Sequence, residues 1–254
     1  MQIALVQFDI VWENRDENLR KLSSLLSNIK KPTDIVILPE MFHSGFSMKP
    51  QKVATTMDGP VIEWMKNESG KLNSIIMGSV AIKDQGNYFN RFISAFPDRS
   101  LITYNKRHLF RMAGEHNVYE SDNKKVILNY DNWRIALFVC YDLRFPVWSR
   151  NVEGYDIAIY VANWPAVRQD AWKTLLKARA IENQCYVIGV NRVGFGNGIE
   201  YSGGSSVFNY KGELISEEDN GQEQVIKTSL DFDALKKFRE KFPVWKDADR
   251  FDLL

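Results

Sequence analysis

Phe138-Val139-Cys140-Tyr141-Asp142-Leu143-Arg144-Phe145-Pro146 is the stretch on which the reading of this chain turns. An apolar run from Ile135 to Val139 predicts a buried strand, and it stops at a cysteine followed at once by polar, turn-forming residues. Chemistry often sits where a strand gives way to a loop, because the scaffold fixes the backbone while the side chain stays accessible. Cys140 is therefore a candidate nucleophile. The plainer alternative is a small buried hydrophobe, which is what free cysteines usually are.

Two further predicted strands end in the same way. Leu38-Pro39-Glu40 places a carboxylate just past the apolar Ile35 to Leu38, and Tyr104-Asn105-Lys106-Arg107-His108-Leu109-Phe110 places a lysine just past Leu101 to Tyr104. A thiol nucleophile needs a base and a cationic or amide donor for the oxyanion, and these residue types supply both. If the three strands are neighbours in one sheet, the side chains converge at its edge. Each charged residue alone is more simply a solvated loop residue, so spacing by itself does not choose between the two.

Working outward, strands and helices alternate. Helical spacing of Leu19, Leu22, Leu25, Leu26 and Ile29 predicts a helix over 14–29, and helices are also predicted at 61–71, 169–182 and 235–241, with one starting over 147–152. Strands are predicted at 3–8, 75–82, 88–96, 126–128, 133–139, 157–161, 186–190, 206–208, 214–216 and 225–228. The polar segment 105–123, carrying Gly114, is long enough to suggest a functional loop. Lys211-Gly212 and Asn220-Gly221 read as turns. Without a linker, low-complexity stretch or repeat, the expectation is one α/β domain over residues 1–254, with 242–254 as a C-terminal tail.

Composition excludes other classes. Among 254 residues, Lys+Arg 33 against Asp+Glu 32 leaves a net charge of +1 with no basic cluster, which argues against a nucleic-acid or membrane-surface partner. Two cysteines form no disulfide framework and suit a reducing cytosol. The N-terminus has the pattern of a short strand and not of a signal peptide, and no apolar run is long enough to span a bilayer. A cytoplasmic location is expected.

The three segments around Glu40, Lys106 and Cys140, in that order and at these intervals, resemble the nitrilase superfamily of carbon–nitrogen hydrolases. The likeness runs over nearly the whole chain and takes in Asn163-Trp164-Pro165, Ala178 to Gln184 and Gly189-Val190-Asn191-Arg192-Val193-Gly194. Within the superfamily the chain is most similar to the omega-amidase branch, which hydrolyses the terminal amide of 2-oxoglutaramate and related dicarboxylate monoamides. The resemblance implies a four-layer α-β-β-α sandwich, a Glu40–Lys106–Cys140 triad and a second glutamate at Glu115, with no metal or organic cofactor. His43, His108 and His116 also lack metal-site spacing with one another or with either cysteine.

In the implied mechanism Glu40 takes the Cys140 proton, while Lys106 and the Tyr141 N–H stabilise the oxyanion. Lys106 would also favour the ionised forms of Cys140 and Glu40 by charge proximity. Arg144 is open to two readings, contact with a substrate carboxylate or a pair with Asp142 or another acid. Phe46 and Trp164 either wall the pocket or belong to the core. Cys185 reads as core, and Arg179 with Glu182 as a structural pair. Rival functions are an N-carbamoyl amine hydrolase, a deaminated-glutathione amidase, a nitrilase, a glutaminase module feeding a partner, or an inactive scaffold. The resemblance also implies a homodimer, with the aromatic tail around Phe242, Trp245 and Phe251 at its interface.

Overall fold

The computed structural model describes residues 1–29, 32–216, 221–249 and 251–252. The chain begins with β1 (Gln2–Gln7), α1 (Arg15–Ser27), β2 (Ile35–Ile37), the single turn α2 (Pro50–Val53) and α3 (Pro60–Leu72). Next come β3 (Ile75–Asp84), β4 (Asn87–Ala95), β5 (Leu101–Asn105), β6 (Ile127–Tyr130), β7 (Trp133–Val139) and β8 (Ile157–Ala162). Helix α4 (Gln169–Asn183), β9 (Tyr186–Asn191), β10 (Val193–Gly196), β11 (Ile199–Ser202), β12 (Ser206–Phe208), β13 (Gln224–Ser229) and α5 (Phe232–Lys241) complete it.

Two main sheets result, ordered β13-β1-β2-β3-β4-β5 and β12-β9-β8-β7-β6. The centre of each is parallel, through β1–β2–β3 and β7–β8–β9. Period-two alternation decides how the first sheet is covered. Ile3, Leu5, Ile35, Ile37, Ile75 and Met77 share one buried cluster with Ile135, Leu137 and Ile159 of the second sheet. Their alternates Ala4, Val6, Val36 and Ile76 pack instead with Leu22 and Leu26 of α1 and Val61, Ile62 and Met65 of α3. On the far side, Trp172, Leu176 and Ala180 of α4 join the cluster of the second sheet. Gly189 permits that approach: a Cβ there would lie 2.4 Å from Leu176 Cδ1 and 2.7 Å from Trp172 Cζ2. The layers are therefore α-β-β-α, as the resemblance implied.

Helix starts follow their capping chemistry. The Asn14 side chain accepts from Glu17 N at the start of α1, and Asp231 accepts from Ala234 N at the start of α5. The helix expected over 147–152 does not form. After a 3-10 turn over Cys140–Arg144 the chain runs through turns whose polar groups are taken by side chains. Asn151 accepts from Tyr155 N at 2.7 Å and donates to Tyr155 O at 2.8 Å, while Asn183 Oδ1 accepts from Asn151 N at 3.0 Å. Those bonds offer the backbone an alternative to the helix. The strand expected at 214–216 is reduced to a bridge between Phe208 and Leu214, beside a turn tied by Asn209. Asn220, in the second expected turn, lies outside the described residues.

His43, in the loop after β2, is fully buried. Its Nε2 lies 3.1 Å from Val53 O, which can only accept, so Nε2 carries the proton; Nδ1 has no partner. Burial, opposed by the Val53 bond and aided by Arg15, lowers its pKa to about 4. The unfolded side chain titrates near ~6.5, so the neutral ring contributes stability above that pH that is lost as pH falls toward 4. The full effect is worth about 3 kcal/mol. Urea unfolding at pH 7 and pH 5 should show the wild type losing about 2 kcal/mol more than His43→Gln. Equal losses in both proteins would contradict this origin of acid sensitivity.

Candidate active site

The residues expected at strand ends meet, but across two sheets and not along one edge. Glu40 follows β2 and Lys106 follows β5 in the first sheet, whereas Cys140 follows β7 in the second. The facing of the sheets brings the three together, and Glu115 joins them from the loop after β5. Gly114 makes that possible by adopting φ 76 between two 3-10 turns, a conformation glycine takes without steric cost.

Two bends set the reactive groups. Met41, directly after Glu40, and Cys140 itself both adopt φ 42, a left-handed backbone that costs a non-glycine residue about 1–3 kcal/mol. Each bend is held by specific bonds. Met41 N donates to Ser79 Oγ at 2.9 Å. Behind Cys140, the buried Asp142 carboxylate accepts from Val139 N at 2.9 Å, Tyr104 Oη at 2.8 Å, His108 N at 3.0 Å and His108 Nδ1 at 2.8 Å. Asp142 thus locks the cysteine turn to the segment that carries Lys106. Arg179 of α4 donates to Leu143 O at 2.7 Å and pairs with Glu182 at 3.0 Å, fixing the turn from the other side.

The charges are fully enclosed. Glu40, Lys106 and Glu115 have no exposed surface. Lys106 Nζ donates to Glu40 Oε1 at 2.9 Å and to Glu115 Oε1 and Oε2 at 3.1 and 3.0 Å. The Asn90 amide donates to Glu40 Oε1 at 2.8 Å and to Glu115 Oε1 at 3.1 Å. Asn163 N donates to Glu40 Oε2 at 2.8 Å, and Phe110 N donates to Glu115 Oε2 at 2.6 Å. Burial alone would neutralise the Lys106 ammonium, but Glu115 and Glu40 outweigh it and hold its pKa above the ordinary value. Burial raises the Glu115 pKa, opposed by Lys106 and aided by Glu40.

Lys106 pulls the Cys140 thiol toward its ionised form, as charge proximity leads one to expect, but that pull is outweighed. Burial first, then the adjacent Glu40, push the Cys140 pKa well up, and the opposing pull of Lys106 does not overcome them. The resting group is a neutral thiol against a carboxylate, able to pass its proton as the sulfur attacks. Cys185, by contrast, is wholly buried and belongs to the core cluster.

Other candidates ring this centre. The Phe46 ring lies 5.1 Å from Lys106 Nζ. Tyr141 sets its ring edge-on to Phe110 at 5.0 Å and to Phe145 at 5.1 Å. Trp164 is largely buried, with its indole N–H on Arg168 O, and the exposed Arg144 guanidinium stacks 5.0 Å over its ring. Among the described residues Arg144 has no carboxylate partner, so the pairing with Asp142 does not form. A cleft of about 580 Å³ lies alongside, lined by Arg107, His108, Arg111, Tyr119, Tyr141 and Phe145 among others; neither Cys140 nor Glu40 lines it. The parts played by Asn90 and by the Asp142 clamp are not marked in the sequence. The only signal for Asn90 is an asparagine between Phe89 and Arg91 in a predicted strand.

Comparison with known proteins fits this geometry. The carbon–nitrogen hydrolase family model matches residues 2–240. The omega-amidase YafV of Escherichia coli (strain K12) is 48% identical over 254 residues, covering 100% of this chain and 98% of that protein. The 2-oxoglutaramate amidase of Bacillus subtilis (strain 168) is 31% identical over 251 residues, 96% of each. The crystal structure of XC1258 from Xanthomonas campestris, a CN-hydrolase superfamily protein with an arsenic adduct in the active site, superposes with TM-score 0.97. It is 42% identical and covers 100% of this chain and 99% of that one.

Proposed function

The chain belongs to the carbon–nitrogen hydrolase family, and from that premise we propose that Cys140, Glu40, Lys106 and Glu115 are the groups with which it hydrolyses amides. The substrate is a small dicarboxylate monoamide of the 2-oxoglutaramate kind, a reading supported by full-length relatives named an omega-amidase and a 2-oxoglutaramate amidase. One observation carries the assignment of residues: a half-buried thiol on a strained turn stands beside Glu40, whose carboxyl accepts a hydrogen bond from a buried lysine.

Glu40 Oε1 already accepts from Lys106 and Asn90, whereas Oε2 accepts from a single backbone donor, Asn163 N. The second lone pair on Oε2 takes the Cys140 proton as the sulfur bonds to the amide carbon. If Lys106 shares one N–H between the two Glu115 oxygens, a further N–H remains for the oxyanion, beside the Tyr141 N–H. Collapse breaks the C–N bond, and Glu40 hands its proton to the departing nitrogen, leaving ammonia and a thioester. Glu40 then deprotonates a water that attacks the thioester. The C–S bond breaks, the acid leaves and the proton returns to sulfur. Glu115 keeps Lys106 in place throughout. Arg144, without an acidic partner of its own, meets the substrate's far carboxylate over the Trp164 face, and Phe46 walls the opposite side.

Ammonia release should be measured with 2-oxoglutaramate, succinamate, glutamine, an N-carbamoyl amine and a nitrile. The first two should be the best substrates, with Cys140→Ala and Glu40→Gln each losing at least about 10²–10³-fold in kcat. Arg144→Gln should raise KM for 2-oxoglutaramate and leave a neutral amide unaffected. Full turnover in Cys140→Ala would remove the thiol from the mechanism, and a preference for the carbamoyl amine or nitrile would overturn the substrate class.

The same reading makes the protein a cytoplasmic homodimer of one hydrolase domain. Both cysteines are unpaired, and no helix among the described residues is long and apolar enough to cross a membrane. Val147 and Val152 beyond the cysteine turn, Ile181 of α4, and Phe242 and Trp245 of the tail all remain exposed. A two-fold contact that buries them would gain about 1.5–3 kcal/mol for each large side chain. Removing residues 242–254 should give a monomer by sedimentation, with reduced activity. A full-length protein that sediments as a monomer at micromolar concentration with full turnover would contradict the dimer.

A further inference from the structure

Asn90 enters the scheme above only as one donor to Glu40, yet it also touches Glu115 and the Lys106 backbone. It sits on β4 opposite Ala81 of β3, fully buried. Its two amide protons go to two different carboxylates, Glu40 Oε1 at 2.8 Å and Glu115 Oε1 at 3.1 Å. Its backbone carbonyl accepts from Lys106 N at 3.0 Å. Its Oδ1 is buried with no partner.

That last atom is informative. A buried acceptor without a partner is costly, and turning the amide over would set Oδ1 against two carboxylates. The observed orientation is therefore enforced by the charges. The amide acts as a fixed fork of two donors held between two anions that otherwise repel each other, in an enclosure of low polarity. Hydrogen bonds to a carboxylate favour its ionised form. Ionisable groups that interact with this pair include Lys106, Cys140, Tyr119 and Tyr201. Burial raises the pKa of the thiol and of both phenols, so the lysine alone among these carries charge. Glu115 and Glu40 compete for any proton that reaches the enclosure, and a proton resting on Glu40 removes the base.

We propose that Asn90 is a positioning residue that bridges Glu40 and Glu115 and, by occupying Glu40 Oε1 together with Lys106, leaves Oε2 directed at Cys140. This rests on the reading of Glu40 as the base. It assigns to a strand residue outside the triad the task of setting the lowest pH at which the enzyme works. Removing the donors makes the carboxylates easier to protonate, so the acid limb of kcat/KM moves to higher pH and activity is recovered in part as pH rises.

The test uses the full-length chain and the amide that the wild type hydrolyses fastest in the panel above. Asn90→Ala should lower kcat by about 10–100-fold near neutral pH, the range typical of lost supporting hydrogen bonds, with KM little changed. Its acid limb should lie at higher pH than that of the wild type. Asn90→Asp, nearly the same shape but adding a third acid, should shift the limb further. It also serves as the second variant if the alanine protein does not fold. Thermal melting checks the fold of each, and iodoacetamide labelling of Cys140 follows the thiol without any substrate. A merely structural role would lower the rate by the same factor at every pH. That result, or an unmoved acid limb in both variants, would overturn the proposal. Glu40→Gln measured in parallel separates the two readings. If it abolishes turnover while the Asn90 variants keep the wild-type limb, only the role of Asn90 fails; if it retains turnover, the reading of Glu40 itself fails.

Discussion

A lysine ammonium with no exposed surface can stay charged only if anions and acceptors replace the water it has lost, and this structure is arranged around meeting that demand for Lys106. Glu40 and Glu115 supply the anions, and Asn90, Asn163 N and Phe110 N donate in turn to those carboxylates. Such a cluster is weak evidence for stability: a buried ion pair roughly offsets its desolvation cost, while removing one partner costs about 3–5 kcal/mol. What the cluster does is hold one carboxylate oxygen in a defined direction in an enclosed place. It also needs both sheets, since β2, β4 and β5 supply Glu40, Asn90 and Lys106 from one and the β8 end supplies Asn163 from the other.

The cysteine turn is the second half of the arrangement. Its left-handed backbone would relax if left alone, and Asp142 prevents this by binding Val139 N, Tyr104 and His108 at once. The same clamp ties the Cys140 turn to the Lys106 segment, so placement of the thiol and of the cation are one structural event. The thiol stays protonated at rest because burial and Glu40 outweigh Lys106. On the proposed mechanism, proton transfer accompanies attack, and Glu40 has to be aligned when substrate arrives.

Much of this is legible in the sequence because apolar runs report buried strands directly. β7 spans Trp133–Val139, the bounds the apolar pattern indicates, and the strand ends locate Glu40, Lys106 and Cys140. Their convergence falls between two sheets and not at one sheet edge, because strand order is a long-range property that local pattern does not carry. The hairpin β10–β11 leaves no trace in the pattern, since Gly194, Gly196 and Gly198 break the alternation that marks a strand. Residues 147–152 carry helix-compatible side chains, but Asn151 and Asn183 capture the backbone instead. Asn90 and Asp142 act through partners far along the chain, Glu40 and Tyr104, so no spacing rule could expose them.

In this mechanism Cys140 carries the acyl group between ammonia release and water attack. The most direct measurement is an acid quench of the full-length enzyme during turnover of 2-oxoglutaramate, followed by peptide mass spectrometry. The expected result is a peptide containing Cys140 heavier by the acyl group, labile to hydroxylamine, and absent from Cys140→Ala. Turnover that proceeds while Cys140 is never modified, with the acyl group absent from every peptide, would contradict it.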